Sequence, residues 1–171
     1  NDNNALTITL TDTSVSAIAL NTLDGKTTVA ITATAVETIT GTAAAVVTAI
    51  GSSGITTDGD YAVTLSAGTA AAADLNTIAG DTSGAIDASL VTTITGTAAN
   101  ILSAAADGTI TTKADYAATV NSGTASVANI NTLDADTTGV ITATVTEGDL
   151  ATLNALDDAN GNNAVAITVT D

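Results

Sequence analysis

An internal repeat with a constant spacing is the feature that most constrains the fold of this chain. The segment LNTLDGKTT begins at Leu20, LNTIAGDTS begins at Leu75, and INTLDADTT begins at Ile130. The segment TITGTAA occurs at the same spacing, from Thr38 and again from Thr93. Repeats of this kind are supersecondary units that cannot bury their apolar faces alone and must stack on their neighbours. The chain is therefore expected to fold as an array of similar units.

The repeat divides the chain into units, each of which contains two related halves. The half-units are marked by Leu20, Val46, Leu75, Ile101 and Ile130. The opening residues resemble the closing segment of the chain, so we interpret them as the end of a preceding unit and as a joint between copies. The predicted divisions are a terminal strand at 1–12, repeat 1 at 13–67, repeat 2 at 68–122, and a shortened repeat 3 with a closing strand at 123–171.

Each half-unit has the composition of a short helix followed by a β-branched strand. Threonine hydroxyls can cap the first amides of a helix, alanine favours helix, and glycine is common at helix ends. The predicted N-caps are Thr42, Thr69, Thr97 and Thr124, and the predicted C-caps are Gly51 and Gly80. Aliphatic residues on one helix face should form the core. They are Val46, Ile50, Leu75, Ile78, Ile101, Leu102, Ile130 and Leu133.

The segments between the helices, such as VAITATAVETITG from Val29, alternate aliphatic and threonine residues. This alternation is typical of strands with one buried face, and the chain has no proline to interrupt a strand ladder. The pattern predicts a mainly β fold with short helices, arranged as a repetitive, solenoid-like stack of coils. A tandem array of small β-sandwich modules is the alternative.

The composition excludes several classes of function. The chain has eighteen acidic residues and only two basic ones, Lys26 and Lys113, so neither nucleic acid nor an anionic membrane is an expected partner. No apolar run approaches the roughly 18 residues of a membrane helix, so membrane insertion is not expected. The chain has no histidine or cysteine, and no serine has an activating partner in sequence. We therefore expect no enzymatic activity, no catalytic residue and no cofactor.

Calcium binding is a weak alternative for six loop aspartates, because calcium takes oxygen ligands from such loops. Their spacing does not follow the EF-hand pattern, and Asp58 corresponds to Lys113 in the next repeat. Turn formation and solubility explain these aspartates better than calcium binding does. The candidates are Asp58, Asp60, Asp134, Asp136, Asp157 and Asp158.

Ice binding is a second alternative, because flat rows of threonine on stacked strands can form an ice-binding face. Threonine is also simply a good residue for the exposed face of a strand, and these rows are irregular. The threonines considered are Thr32, Thr34, Thr40, Thr93, Thr95, Thr142 and Thr144.

The recurring segments of the sequence also resemble those of a known group of proteins. Gly-Thr-Ala-Ala followed by LNTLD, by TTG and by a closing ITVTD resembles the repeats of very large surface and secreted proteins of cyanobacteria and other aquatic bacteria. These are rich in threonine, alanine and aspartate, and are known as β-strand repeat proteins. The resemblance implies an extracellular or cell-surface location and a structural or adhesive role, and it carries over no catalytic residue.

The expected function is that of an extracellular structural repeat protein that forms a filament, sheath or surface layer by head-to-tail stacking of its copies. An adhesin stalk segment is the main alternative. The segments ALTITLTD and AVAITVTD, which end at Asp12 and Asp171, are strand-like and lack polar capping, so they are predicted to be the joints. The predicted interface residues are Leu6, Ile8, Leu10, Val165, Ile167 and Val169.

Overall fold

The computed structural model describes residues 4–170, which form a mixed α/β fold. Residues 1–3 of the predicted terminal strand, and Asp171, lie outside the described residues. The helices are α1 (Ala17–Asp24), α2 (Ala43–Ile50), α3 (Ala72–Asp81), α4 (Ala98–Ala106), α5 (Val127–Asp136) and α6 (Leu150–Leu153). The strands are β1 (Ser14–Ser16), β2 (Ile31–Thr32), β3 (Thr38–Gly41), β4 (Ile55–Thr56), β5 (Ala62–Leu65), β6 (Gly68–Ala71), β7 (Ile86–Ala88), β8 (Val91–Gly96), β9 (Ile110–Thr112), β10 (Ala117–Val120), β11 (Ile141–Thr144) and β12 (Ala164–Ala166).

The strands form two five-stranded sheets and one two-stranded sheet, and every named pair is parallel. The first sheet has the order β1-β3-β5-β7-β9, and the second has the order β12-β11-β10-β8-β6. Ser14 pairs with Thr38 and Thr38 pairs with Ala62, and each step along the first sheet advances the chain by 23 or 24 residues. Each sheet is therefore built from strands that lie far apart in sequence.

The two five-stranded sheets are copies of each other, displaced by the sequence repeat. β3 begins at Thr38, and the equivalent residue one repeat later, Thr93, lies in β8. The same displacement relates the other strands of the first sheet to those of the second, in the same order. The two-stranded sheet, β2 with β4, is equivalent to the β7–β9 pair. The repeat in the sequence is thus a repeat in strand pairing.

The helices pack in chain order from α1 to α5 and form a layer of their own. A repeated asparagine joins neighbouring helices by donating its side-chain amide to a backbone carbonyl near the next helix. The donors are Asn21, Asn76 and Asn131, and the acceptors are Ala45, Asn100 and Ala155. Each acceptor lies 24 residues after its donor, the same step as most strand pairs.

The core lies between the helices and the inward faces of the sheets and is almost entirely aliphatic. Most of the predicted core residues are confirmed as buried, and Ile50 and Leu102 are only partly buried. The buried ones are Val46, Leu75, Ile78, Ile101, Ile130 and Leu133. The sequence pattern did not single out Tyr61 and Tyr116, which are the largest fully buried side chains.

The helix caps confirm half of the threonine assignments. Thr42 and Thr97 accept hydrogen bonds from the amides of Ala45 and Asn100, so both are N-caps. The prediction that Thr69 is an N-cap is wrong, because Thr69 lies inside β6 and the helix that follows begins only at Ala72.

The other cap assignments divide in the same way. The prediction that Thr124 is an N-cap is wrong, because Ser126 caps α5. Gly51 is a C-cap as predicted, whereas Gly80 lies within α3, which ends at Asp81.

The predicted fold class, a mainly β and solenoid-like stack of coils, is wrong, and so is the alternative of tandem β-sandwich modules. Helices α1–α5 have 8 to 10 residues each and form a full layer, so the fold is mixed α/β. Parallel neighbours cannot be joined by a tight turn and need a long crossover, and here a helix lies in most crossovers. Sandwich modules would instead require antiparallel pairing.

The division into repeat units stays a prediction. Strand pairing crosses its first internal boundary, because β5 in repeat 1 pairs with β7 in repeat 2. Among residues 4–170, no helix is long and apolar enough to cross a membrane.

Candidate functional site

Four segments of the chain are equivalent in sequence, and they lie at the centre of the candidate site. We call residues 6–10 the head segment and residues 165–169 the tail segment. The interior segments are 61–65 and 116–120. Their sequences are LTITL, VAITV, YAVTL and YAATV. The repeat relates the head segment to the two interior segments, and the tail segment is matched to the head segment by its sequence.

The interior segments are paired on both sides. Segment 61–65 contains β5, which lies between β3 and β7. Segment 116–120 contains β10, which lies between β8 and β11. Their apolar side chains are accordingly buried: Tyr61, Val63 and Leu65 each expose 1 % of their surface.

One side of the equivalent segments is held by a repeated backbone hydrogen bond to a glycine. The Ser66 amide donates to the carbonyl of Gly41 at 2.8 Å. The Asn121 amide donates to Gly96 at 3.2 Å, and the Thr170 amide donates to Gly148 at 3.0 Å. The tail segment therefore lies against the preceding turn of its own chain as the interior segments do.

The other side is held by a repeated threonine. The hydroxyl Oγ1 of Thr82 donates to the carbonyl oxygen of Tyr61 at 2.6 Å, and that of Thr137 donates to Tyr116 at 2.6 Å. Thr27 donates in the same way to the carbonyl of Leu6 at 2.7 Å. We call these three residues the clamp threonines. Because the acceptor is a backbone carbonyl, the clamp does not depend on which side chain the held segment carries.

The head segment is paired only on the side that contacts its clamp threonine, Thr27. It lies along β2, where the Leu10 amide donates to Thr32 at 2.8 Å and the Thr32 amide donates to Ile8 at 2.9 Å. Thr9 and Thr32 form a parallel bridge. Within residues 4–170, no strand pairs with the opposite side of the head segment.

The tail segment has only the glycine side. β12 overlaps its start and is the edge strand of the second sheet, paired with β11. The Val145 amide donates to Ala166 at 2.9 Å, which continues this pairing. No strand in the described part of the chain covers the outer side of β12. Head and tail segments thus make complementary halves of the contacts that an interior segment makes.

The exposure of the predicted interface residues reflects this missing pairing. Leu6 is 52 % exposed, Ile167 is 45 % exposed and Val169 is 58 % exposed, whereas Val63 and Leu65 in an interior segment are buried. Ile8, Leu10 and Val165 are partly buried. The role of these six residues in assembly stays a prediction, and the structure adds Thr27 and β2 to the region. The signal for Thr27 was its repetition as Thr82 and Thr137 in the aligned sequences.

Each interior segment also carries a buried tyrosine that bonds to an exposed aspartate. The Tyr61 hydroxyl donates to Asp81 Oδ2 at 2.5 Å, and the Tyr116 hydroxyl donates to Asp136 Oδ2 at 2.7 Å. Burial is the largest cause that raises the pKa of both tyrosines above the ordinary value, and the hydrogen bond and charge of the aspartate add to it. Both phenols are therefore held neutral.

The head segment lacks both members of this pair. Leu6 replaces the tyrosine, and Lys26 replaces the aspartate at the equivalent position. The tail segment has Val165 at the tyrosine position, so it also lacks the hydroxyl. Head and tail segments therefore both carry an aliphatic residue at this position.

An open apolar groove lies beside α1 and β1. It has a volume of about 310 Å³ and is lined by Leu10, Asp12, Val15, Ala19, Leu20 and Leu23. α3 and β6 are the equivalents of α1 and β1, and there α2 packs against both. The groove is therefore the place that a helix equivalent to α2 fills in the interior of the molecule.

The calcium candidates do not come together in one place. Among the described residues, no group of three or more acidic side chains is arranged to hold a metal ion. Asp134 is buried and accepts hydrogen bonds from the Ala159 amide and the Asn163 side chain. Asp136 accepts from Tyr116, and Asp158 accepts from the amides of Asn162 and Asn163. The remaining candidates, Asp58, Asp60 and Asp157, are exposed.

The threonine candidates form short rows rather than one continuous face. Thr95, Thr119 and Thr142 are aligned by strand pairing, but Ala71 and Ala164 end this row. In the first sheet, Thr40 pairs with Thr64, and Asp87 then interrupts the row. Thr32 lies in a row with Thr9 and Thr56, Thr93 pairs with Thr69, Thr144 pairs with Ala166, and Thr34 lies outside the named strands.

The comparisons with known proteins do not assign this arrangement to a family. No family model matches the chain, no curated protein matches it, and no solved structure matches it. The functional proposals below therefore depend on the geometry of the head and tail segments and on the chemistry of the sequence.

Proposed function

We propose that this chain is an extracellular structural repeat protein whose copies associate head to tail into a filament, sheath or surface layer. The observation that carries the proposal is the complementary, half-complete pairing of the head and tail segments. The free edge of each segment offers unpaired backbone groups, and such edges bind other strands.

The exposed apolar side chains support the same proposal. Ile167 and Val169 expose about half of their surfaces, although equivalent residues inside the molecule are buried. Apolar burial stabilises association by about 25 cal/mol per Å² of surface removed from water. A contact that joins two different surfaces and does not close into a ring propagates without limit, as a linear or layered assembly requires.

The extracellular location is part of the proposal and is supported by chemistry alone. The chain has no cysteine, methionine or tryptophan, so it offers little to oxidants. Its acidic surface, with a formal net charge of −16, suits a protein exposed to salt and divalent cations.

Sedimentation and electron microscopy of the purified chain over a range of concentrations test the proposal. We expect a series of linear oligomers whose length grows with concentration. A chain that stays monomeric at every concentration and salt condition would behave like an isolated stalk segment and would contradict it.

A further inference from the structure

We propose that the tail segment of one copy pairs with β2 of the next copy and displaces that copy's own head segment. This inference rests on the proposed function, because it requires head-to-tail association. It goes further by naming the strand that moves, the edge that receives it and the residue that holds it. The partner is a second copy of this chain.

The first argument is that the exchange gives the edge strand β12 its missing outer neighbour. On its inner side the tail segment pairs with β11, and the Val145 amide continues this pairing. In the next copy, β2 pairs with β4. With the tail segment placed on β2, β12 gains a parallel partner on its outer side, so the tail segment is paired on both sides, as β5 is paired by β3 and β7.

The second argument concerns register. Thr9 bridges Thr32 in the isolated copy, and the head and tail sequences place Thr168 at the position of Thr9. The incoming segment therefore aligns Thr168 with Thr32 and Ile167 with Ile31. Because side chains alternate along a strand, this register turns Ile167 and Val169 inward, as Val63 and Leu65 are turned in β5.

The third argument is that the receiving groups accept either segment. Thr27 holds Leu6 through a backbone carbonyl, so it can hold Val165 through the same atom. The Thr28 amide donates to the carbonyl of Asn4 at 2.8 Å, and the tail has an asparagine, Asn163, at the equivalent position. The side chain at the clamped position is aliphatic in both segments, Leu6 in the head and Val165 in the tail.

The head segment is the one that leaves, because its strand pairing is shorter than that of the tail. Besides the hydrogen bonds that Thr27 and Thr28 make with residues 4–6, the head segment has the single Thr9–Thr32 bridge, whereas β12 pairs with β11 at three positions. The tail is held by Asn163, whose side chain donates to the buried Asp134 at 2.7 Å and accepts from the Ile141 amide at 3.0 Å. The tail therefore stays with its own copy while its outer edge binds the next.

Disulfide trapping tests the register, because the chain has no cysteine of its own. One batch carries Thr32→Cys and a second carries Thr168→Cys, and the two are mixed under association conditions and oxidised. Directly paired residues have Cα separations within the range a disulfide accepts. We expect a mixed disulfide dimer. The control replaces the second batch with Thr77→Cys, an exposed residue of α3, which should give no dimer above the level of random collision.

A locked variant tests displacement. The double variant Thr9→Cys/Thr32→Cys, once oxidised, ties the head segment to β2. We expect the oxidised variant to lose association and to regain it on reduction. The matched control is Thr40→Cys/Thr64→Cys, which links β3 to β5 inside the molecule and should associate in both redox states.

The outcomes separate the two proposals. If the unmodified chain associates while the Thr32–Thr168 disulfide is absent and the locked variant still associates, strand displacement is wrong and head-to-tail association stands. If the unmodified chain does not associate under any condition, both proposals fail.

Discussion

At the scale of single residues, two glycines allow the interior strands to come close to their neighbours. A Cβ atom on Gly84 would overlap the carbonyl oxygen of Tyr61, and one on Gly139 would overlap that of Tyr116. The equivalent position beside the head segment is Val29, where the approaching residue is the half-exposed Leu6. Glycine is thus present where the held segment begins with a buried tyrosine, and valine where it begins with an aliphatic residue.

We expect Gly84→Ala to destabilise the protein by about 1–3 kcal/mol, because backbone atoms in a packed interior must move to accommodate the methyl group. The control is Gly80→Ala in α3, where a Cβ would meet no atom within 4 Å and alanine favours helix. Urea unfolding of both variants measures the difference. Equal stability of the two variants would show that the close approach at Gly84 is not required.

The buried tyrosines make stability depend on alkaline pH. The pKa of each tyrosine is higher in the folded chain than in the unfolded one, so folding favours the protonated phenol. The contribution is present below the unfolded pKa and is lost as the pH rises above about 10. We expect the free energy of unfolding to fall in this range, as measured by urea melts at several pH values.

The double variant Tyr61→Phe/Tyr116→Phe is the control for this prediction. It should lose about 1 kcal/mol per hydrogen bond at neutral pH, and its stability should fall less steeply above pH about 10. An identical alkaline dependence in the two proteins would mean that other groups cause it.

At the scale of secondary-structure elements, the helix layer is stabilised by the packing of fully buried aliphatic residues. Leu75 in α3 is fully buried. We expect Leu75→Ala to cost about 2–5 kcal/mol, because the neighbouring elements can only partly fill the space. Ile18→Ala in α1 is the control, since Ile18 is 62 % exposed. A urea midpoint for Leu75→Ala that equals that of the control would contradict the packing described for α3.

The helices were predictable from sequence and the strand register was not. Alanine-rich segments after Gly-Thr predicted helices, and Thr42 and Thr97 cap them as expected. The same four letters, GTAA, form strand β6 at residues 68–71, because this segment pairs with β8. Tertiary pairing overrides local propensity there.

The spacing of the pattern explains the remaining errors. Successive helices begin farther apart in sequence than the paired strands of one sheet, so the strands start progressively earlier relative to the helix that follows. α1 follows directly after β1, whereas β10 and two loops separate β9 from α5. No local signal in the sequence reveals this drift. The similarity of the two ends of the sequence was enough to predict the joints. The contacts of the head segment with Thr27 and β2 depend on the strand register, which the sequence did not reveal.

At the scale of the whole molecule, charge opposes association. The net charge is −16, and the ion pair that the structure shows within residues 4–170 joins Lys113 to Asp115 at 2.9 Å on the surface. Copies therefore repel one another at low ionic strength. The Debye length shrinks from about 10 Å at 0.1 M salt to about 3 Å at 1 M, which removes most of this repulsion.

We expect association to strengthen as salt is added, because burial of apolar edges is little affected while repulsion is screened. Static light scattering over a salt series at constant protein concentration measures it. Association that is strongest in salt-free buffer would show that attractive charge pairs, rather than strand edges, hold the copies together.

The central claim is that the tail segment of one copy takes the place of the head segment of the next, and hydrogen–deuterium exchange tests it most directly. Exchange is compared for the dissociated and the associated chain, peptide by peptide. The account predicts that amides of residues 165–170 gain protection on association, that β2 keeps its protection, and that residues 4–10 lose theirs. If residues 4–10 gain protection together with the tail, the head segment stays in place and the claim is contradicted.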